Sequence, residues 1–313
     1  MLEYNRLTEK TGYIIMDRSL VVVTDISGRE CVLIDSGYSE APELLDLLRS
    51  RGKRPAAVLC THFHVDHMGN NGLLQREAGA KIYAAALEID VQRSRYESDE
   101  GSSFKWMDRD KYFFGESGRY KTKPVAPGQK EVRIGGRSFR VEELFGHSPA
   151  HLGFATPDGV LHVGDAIMTD RVLRHSKVPY ELNITKTLDT LEKMKRLDYP
   201  LFAASHMGII ERRDIAGVIG ANIDYHLGML DYIESSLGSV WENMDLFIRE
   251  IIESRGVNIK KSSNIGWIPS AVRSYIDHLV REGRIEMRSR REPAERPEDV
   301  LSAYDMMVRR VRR

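Results

Sequence analysis

Residues 56–67 read AAVLCTHFHVDH, an apolar run followed at once by three histidines and an aspartate. The apolar part is typical of a short buried strand. An extended backbone projects His62 and His64 to the same side. Asp66 and His67 come next in the sequence. We expect their side chains to turn towards a second point, next to the one that His62 and His64 face. Imidazole nitrogens and carboxylate oxygens are ligands that zinc, iron and manganese bind well, so the stretch predicts a metal site.

Two other interpretations of this stretch are disfavoured. The first is a polar loop with solvated histidines. It is disfavoured because histidines held this close together repel one another on protonation unless a metal replaces the protons. Structural zinc sites are usually closed and rich in cysteine, but the chain has only Cys31 and Cys60. Cys60 directly precedes the histidine motif and is interpreted as a buried strand residue rather than a ligand. The motif therefore indicates a catalytic metal site.

The first two-thirds of the chain alternate strand and helix patterns, which predicts an α/β fold. Ala41–Arg51 carries apolar residues at helical spacing, and a second amphipathic helix precedes the last strand. The predicted strands are Tyr13–Met16, Leu20–Thr24, Cys31–Asp35, Ala56–Cys60, Lys81–Ala84, Glu131–Ile134, Ser138–Val141, Leu152–Ala155, Val160–Val163 and Leu201–Ala204.

Residues 94–128 differ from their surroundings because they are polar yet rich in aromatic side chains. We expect an insertion that could fold over the metal site as a lid. Its aromatic rings would either wall a pocket for an acyl or aromatic group or anchor the insertion to the scaffold. These rings include Phe104, Trp106, Tyr112, Phe113 and Phe114.

The chain becomes helical after His206, so a catalytic domain over 1–210 and a second domain over 211–313 are predicted. Helix patterns cover Ile215–Leu237, Trp241–Ser254, Pro269–Val280 and Val300–Val311. Gly283 suits a helix C-terminus, and Arg284–Arg288 alternates charged and apolar residues like a short edge strand. Helix, turn, helix and strand form the outline of a winged-helix-like module.

Composition excludes several classes of protein. The 313 residues carry 46 Lys and Arg against 46 Asp and Glu, which disfavours a globally basic nucleic-acid binder. The first dozen residues lack the apolar core of a signal peptide. Apolar runs stay well below the ~20 residues that span a bilayer. A cytoplasmic protein with no membrane association is expected.

The motif and its surroundings resemble the metallo-β-lactamase superfamily of binuclear metallohydrolases over about residues 10–210. The resemblance implies a four-layer αββα sandwich with the metals at one edge of the sheets. It also implies three later ligands, each in a short motif after a strand. These are His147 in Gly146-His147-Ser148, Asp165 in Val163-Gly164-Asp165 and His206 in Ser205-His206-Met207.

This resemblance divides the ligands between two metal sites bridged by Asp165. The implied first site is His62, His64 and His147, and the implied second site is Asp66, His67 and His206. The turn before His206 departs from the Pro-Gly-His-Gly of many relatives. His151 competes with His147 but suits a supporting role better. The other histidines are interpreted as core, surface or helix-packing residues, namely His162, His175, His226 and His278.

The implied cofactors are two divalent metal ions, zinc first, with iron and manganese as alternatives. Such a pair lowers the pKa of a bridging water to give hydroxide, polarises the substrate and stabilises developing charge. Asp66 would act catalytically, because it can orient the hydroxide and accept its proton while remaining a ligand. No serine or cysteine nucleophile is then needed.

The resemblance indicates the reaction type better than the substrate. The leading hypothesis is a glyoxalase II-like hydrolase of an ester, thioester or lactone of a small molecule. The alternative is a phosphodiesterase or endoribonuclease, since a similar extension occurs in an endoribonuclease branch and the arginines of Arg281–Arg313 could contact RNA phosphates. Acidic residues nearly balance those arginines, which favours a solvated domain or a homodimer interface.

Two further alternatives follow from relatives with other chemistry. Persulfide dioxygenases hold a single iron with two histidines and one aspartate, and matching residues occur here. Flavodiiron oxygen reductases have glutamate at the position of His64 and are disfavoured. A non-enzymatic binding module is disfavoured because all seven expected ligands are present.

Overall fold

The structure is a computed structural model that describes residues 2–16, 19–38, 41–98, 118–257, 262–291 and 304–311. The chain forms two compact units, which are Met1–Met168 with Thr190–Ile219 and Thr169–Asp189 with Gly220–Arg313. Each unit has its own hydrophobic core. The domain boundary after residue 210 stays a prediction.

The first unit contains a seven-stranded sheet whose strands lie in chain order. The strands are β1 (Tyr4–Arg6), β2 (Thr11–Met16), β3 (Ser19–Ser27), β4 (Glu30–Ile34), β5 (Arg54–Leu59), β6 (Lys81–Ala85) and β7 (Thr122–Val125). The first four are antiparallel, and the last four run parallel. Parallel strands need crossover connections, here α1 (Pro42–Ser50), α2 (Val65–Met68), α3 (Asn71–Ala78) and α4 (Ala86–Ser98).

A six-stranded second sheet has the order β13-β12-β11-β10-β9-β8. Its strands are β8 (Glu131–Ile134), β9 (Arg137–Glu143), β10 (Leu152–Ala155), β11 (Val160–His162), β12 (Leu201–Ala204) and β13 (Gly208–Glu211). Only β11 and β12 pair in parallel. The connection between them carries α5 (Asp170–Ser176) and α6 (Ile184–Met194).

The two sheets of the first unit pack face to face. Alternate residues of β3 show this, because Leu20 and Val22 enter a core shared with Phe139 and Phe154 of the second sheet. The opposite face of β3 packs in a core that includes Leu44, Leu48, Leu73 and Leu74 of α1 and α3. Burial on both faces matches the continuous apolar runs in the sequence. The predicted α/β sandwich is confirmed.

The described residues at both ends of the segment 94–128 belong to a helix and a strand of the first unit rather than to an insertion. α4 continues to Ser98, and β7 extends the first sheet beside β6, with Tyr83 opposite Lys123. Exposed Lys123 and Pro124 suit an edge strand, which explains why this strand looks like a polar loop in the sequence. Residues 99–117, which carry the five aromatic side chains named above for the predicted lid, lie outside the described residues, so the lid stays a prediction.

The second unit is mainly helical and carries a three-stranded sheet. Its elements include α7 (Ile215–Ser236) from Gly220 onwards, β14 (Glu242–Asn243), α8 (Met244–Ser254), α9 (Ser262–Arg281), β15 (Ile285–Arg291) and β16 (Tyr304–Arg310). Ile248, Ile251, Val272, Tyr275 and Ile276 belong to its core. Across the described residues, none of the helices is both long and apolar enough to cross a membrane.

Three predictions for the second unit need correction. α8 begins at Met244 rather than Trp241 because the Asn243 side chain accepts hydrogen bonds from two backbone N–H groups and caps the helix. α9 begins at Ser262, so Pro269 lies inside the helix. The helix expected over Val300–Val311 is wrong, because β16 pairs along its length with β15. This long-range pairing outweighs the local helix pattern.

Two other features of the second unit agree with the sequence. Gly283 adopts a left-handed conformation (φ 69°) just after α9, as expected for a helix terminus. β15 covers the alternating stretch that predicts a strand. The three-stranded sheet has the order β14-β16-β15. The winged-helix outline itself stays a prediction.

Candidate metal centre

The histidine motif occupies the connection between β5 and α2. β5 ends at Leu59, and His64 directly precedes α2 with an extended backbone (φ −67°, ψ 142°). Asp66 and His67 lie in the short helix that follows. The change from extended to helical backbone therefore directs His62 and His64 to one point, and Asp66 and His67 to a second point beside it.

Three connections of the second sheet carry the other predicted ligands. His147 lies between β9 and β10, Asp165 follows β11, and His206 lies in the turn between β12 and β13. The Ser205 backbone N–H donates to the Gly164 carbonyl oxygen (3.1 Å). This bond joins the loop of His206 to the loop of Asp165, although the turn differs from the common family sequence.

The structure brings all seven predicted residues together. They form two groups that share Asp165, and each residue of a group has a ligand atom within 4.8 Å of those of the others. The first group is His62, His64, His147 and Asp165, and the second group is Asp66, His67, Asp165 and His206. The shared carboxylate makes the two groups a single centre.

Three imidazoles of the first group meet at their nitrogens. His62 Nε2 and His147 Nε2 lie 2.9 Å and 3.1 Å from His64 Nδ1. Burial, followed by the charges of neighbouring imidazoles, lowers the pKa of His62 well below its ordinary value and that of His64 to about 3. A neutral imidazole presents a lone pair. The first group therefore offers converging lone pairs, which is the donor set that zinc accepts.

Two carboxylates and two imidazoles face one another in the second group. Asp165 lies 3.4 Å from His67 Nε2 and 3.3 Å from His206 Nε2. Asp66 Oδ2 lies 3.6 Å and 3.5 Å from the same two nitrogens. Burial opposes a charge on either ring, but the carboxylates raise the pKa of His67 above its ordinary value and that of His206 to about 10.

The carboxylates of this group stay ionised for the same reason. Burial would raise their pKa values, but the charges of His67 and His206 hold the pKa values of Asp66 and Asp165 below the ordinary range. The group thus attracts positive charge. A divalent cation supplies that charge in place of the ring protons, so the residues present fit a metal ion.

Asp35, which the sequence motifs do not identify, lies behind both groups. It is fully buried. Its Oδ2 accepts hydrogen bonds from His67 Nδ1–H (2.8 Å) and the Thr61 hydroxyl (2.9 Å), and its Oδ1 accepts one from Thr61 N–H (2.8 Å). The Thr61 oxygen in turn accepts from His62 Nδ1–H (3.0 Å). With Nδ1 protonated, both rings turn Nε2 towards the centre.

The signal for Asp35 is its position relative to a neighbouring strand. It directly follows β4, which pairs in parallel with β5 so that Ile34 lies opposite Leu59. Residues just beyond two aligned strand ends are neighbours, which places Asp35 beside Thr61. Asp35 also adopts a left-handed conformation (φ 61°), uncommon for a residue other than glycine. The sequence pattern at Cys31–Asp35 indicates only a strand.

His151 is buried beside the centre, but neither group includes it. Its ring stacks on His62 with centroids 4.8 Å apart, and its Nε2 accepts the Asp165 backbone N–H (3.2 Å). A Cβ at Gly164 would lie 2.7 Å from that nitrogen, so glycine is required for this approach. Of the two competing histidines, His147 is the one whose ring joins the first group.

The other histidines belong to neither group, although His162 Nε2 lies 3.6 Å from Asp35 Oδ2. His162 is buried in β11 and its Nε2 lies 3.0 Å from a backbone carbonyl oxygen of β3. His226 is buried in the second unit beside the Tyr275 hydroxyl (2.8 Å), and burial lowers its pKa to about 4. His278 is also buried there, and His175 is exposed. These positions agree with core, helix-packing and surface roles.

Cys60 is a buried residue that directly follows β5 and precedes the histidine motif. Its sulfur lies 3.2 Å from Asn71 Nδ2, which donates to it. Burial, followed by the charge of Asp35, raises the pKa of the thiol to about 12. A thiol that stays protonated is a poor metal ligand, which agrees with the role expected from the sequence.

Part of this chain is similar in sequence to hydroxyacylglutathione hydrolases. Hydroxyacylglutathione hydrolases from Parasynechococcus marenigrum (strain WH8102) and Anaeromyxobacter dehalogenans (strain 2CP-C) are 29% and 26% identical to it over 134 and 141 residues. These matches cover 42% and 45% of this chain. They cover 42% and 43% of the relatives, so the chain matches less than half of their length.

Solved structures share the fold over almost the whole chain. A beta-lactamase domain protein from Burkholderia ambifaria has a TM-score of 0.68 at 15% identity, covering 99% of this chain and 94% of that one. A metallo-beta-lactamase family protein from Thermus thermophilus has a TM-score of 0.66 at 17% identity, covering 98% and 97%.

A family model describes the segment that carries the metal centre. The model for the metallo-beta-lactamase superfamily matches residues 17–206, which is more than half of the chain. This segment contains both groups of predicted ligands, the buried Asp35 behind them and most strands of the two packed sheets, from β3 to β12. The chain therefore belongs to the metallo-beta-lactamase superfamily.

Proposed function

We propose that this protein is a metal-dependent hydrolase with two divalent ions, which cleaves an ester, thioester or lactone bond of a small molecule. The observation that carries the proposal is the shared position of Asp165 between two groups of ligand atoms. A carboxylate with two oxygens can bind an ion on each side. The first ion would be held by His62, His64 and His147, and the second by Asp66, His67 and His206.

Bound ions would lower the pKa of a water molecule and polarise the substrate oxygen. The protein side chains determine where this chemistry takes place. Asp66 and His206 are the more open members of the second group, with side chains 25% and 23% exposed, whereas His67 is fully buried. A substrate would therefore approach from the side of Asp66, whose carboxylate can orient the attacking water and accept its proton.

The similarity to hydroxyacylglutathione hydrolases supports a thioester among the candidate substrates. Zinc is the first candidate ion because imidazole and carboxylate groups bind it well, with iron and manganese as alternatives. Two complete groups of ligand atoms favour a pair of ions over the single iron of a persulfide dioxygenase.

The RNA alternative depends on the arginines near the C-terminus. Several described ones already have partners in the second unit. Arg284 bonds Asp231 and Glu234, and the guanidinium carbons of Arg288 and Arg309 lie 4.1 Å and 4.5 Å from the centroid of the Trp241 ring. Arginines engaged in this way are less available to phosphates, which favours a small-molecule substrate.

A comparison of two substrates tests the proposal. The full chain, loaded with zinc, is assayed with an acyl thioester and with a short single-stranded RNA. We expect thioester hydrolysis, its loss after removal of metal by a chelator, and its recovery when zinc is restored. RNA cleavage without thioester hydrolysis would support the phosphodiesterase alternative instead. One bound iron per chain with oxygen uptake would indicate a dioxygenase.

A further inference from the structure

A buried carboxylate outside the seven-residue set lies beneath the first group. Glu88 is in the first turn of α4, directly after β6, and is only 1% exposed. Burial of a carboxylate is costly unless hydrogen bonds compensate for the lost hydration. Nothing in the proposed hydrolysis uses this side chain, so its burial needs another explanation.

The contacts of Glu88 connect two loops that are distant in the sequence. Its Oε1 accepts hydrogen bonds from the Ser148 hydroxyl (2.7 Å) and the Ala150 backbone N–H (2.7 Å). Its Oε2 accepts one from the Phe63 backbone N–H (3.3 Å). One oxygen therefore binds the loop between β9 and β10, and the other binds the histidine motif.

Both loops carry ligands of the first group. Phe63 lies between His62 and His64, and Ser148 directly follows His147. A carboxylate that accepts hydrogen bonds from two loops ties those loops together. A buried carboxylate on a helix that is bonded to both loops is therefore placed to set the separation of these three imidazoles.

We propose that Glu88 is a positioning residue for the first metal ion, acting by clamping the motif loop to the His147 loop. The inference rests on the proposed two-ion centre and deepens it, because it assigns one ion a support that the other lacks. In the second group, the ring of His67 is oriented by a hydrogen bond to Asp35 and not by Glu88.

Glu88→Gln is the most informative change because it keeps the volume of the side chain. An amide has one acceptor oxygen and an NH₂ group that only donates. In either orientation the NH₂ group faces a backbone N–H, either that of Phe63 or that of Ala150. At least one of the two loops therefore loses a hydrogen bond to this side chain, although the volume of the side chain stays filled.

The test is a chelator competition on the full chain with Co²⁺, followed by visible absorption. The wild-type chain should bind two ions. In Glu88→Gln we expect the affinity for one ion to fall about 10–100-fold, with a changed absorption band, while the other ion keeps its affinity. His147→Ala identifies the affected ion, because it removes a ligand of the first group. Glu43→Gln, an exposed glutamate in the first turn of α1, should bind both ions as wild type does.

A second variant covers the case in which Glu88→Gln fails to fold. Ser148→Ala removes one donor and leaves the carboxylate in place, so it should weaken the same ion by a smaller factor. Wild-type affinity for both ions in the two variants would overturn the inference, even with a lowered melting temperature, as would equal weakening of both ions. Fewer than two ions in the wild-type chain would instead contradict the proposed centre.

Discussion

Asp66→Ala is expected to lower kcat for the thioester by about 10²–10⁴-fold, the range typical of a lost general base. The carboxylate lies within 3.6 Å of both imidazoles of the second group and is the most open acid of the centre. Alanine can neither orient a water molecule nor accept its proton. The melting temperature should change little in comparison, because a quarter of the side chain is already exposed to solvent.

The control for this change is Asp46→Ala on α1. Asp46 is 71% exposed and pairs only with Arg49 among the ion pairs of the described residues, so turnover should be the same as in the wild type. Circular dichroism would establish that both variants are folded. If Asp66→Ala retained kcat within about threefold of the wild type, a catalytic role for this carboxylate would be untenable.

Asp35→Asn should weaken metal binding by about 10–100-fold, although Asp35 belongs to neither group of ligand residues. Its carboxylate accepts the Nδ1–H of His67 and the hydroxyl of Thr61, which in turn orients His62. An asparagine amide can donate to His67 Nδ1, which moves the ring proton to Nε2 and blocks the ligand nitrogen. Both ions should be affected, because Asp35 supports one ring in each group.

Asp158→Asn separates metal loss from loss of stability. Asp158 also accepts several hydroxyl hydrogen bonds, from Thr8, Thr11 and Thr156, but none of these residues is a predicted ligand. Both variants should lower the free energy of unfolding. Equilibrium dialysis with zinc should show weakened binding only for Asp35→Asn, and equal affinities would refute its supporting role.

The histidine motif could be located from sequence because its geometry is local. A strand that ends before Thr61 and a helix that starts at Val65 are enough to direct neighbouring side chains to two points. His147, Asp165 and His206 have no such local pattern, and only the family resemblance identifies them. Their convergence depends on how the strands of the second sheet are ordered.

The supporting roles of Asp35 and Glu88 could not be predicted from the sequence, because these roles depend on tertiary contacts. Asp35 meets the motif across two parallel strands, and Glu88 meets it from α4, a helix that begins at Ala86. A single aspartate or glutamate after a strand is too common in sequences to indicate such a role. The strand β16 could not be predicted from the sequence for the same physical reason. Its strand conformation depends on pairing with β15.

Metal content of the purified chain tests the central claim most directly. After loading with zinc and removal of unbound ions, atomic absorption should give two ions per chain. His147→Ala and His206→Ala should each retain one, because each removes a ligand from a different group. One ion or none in the wild-type chain would contradict the two-ion centre on which the proposed hydrolysis depends.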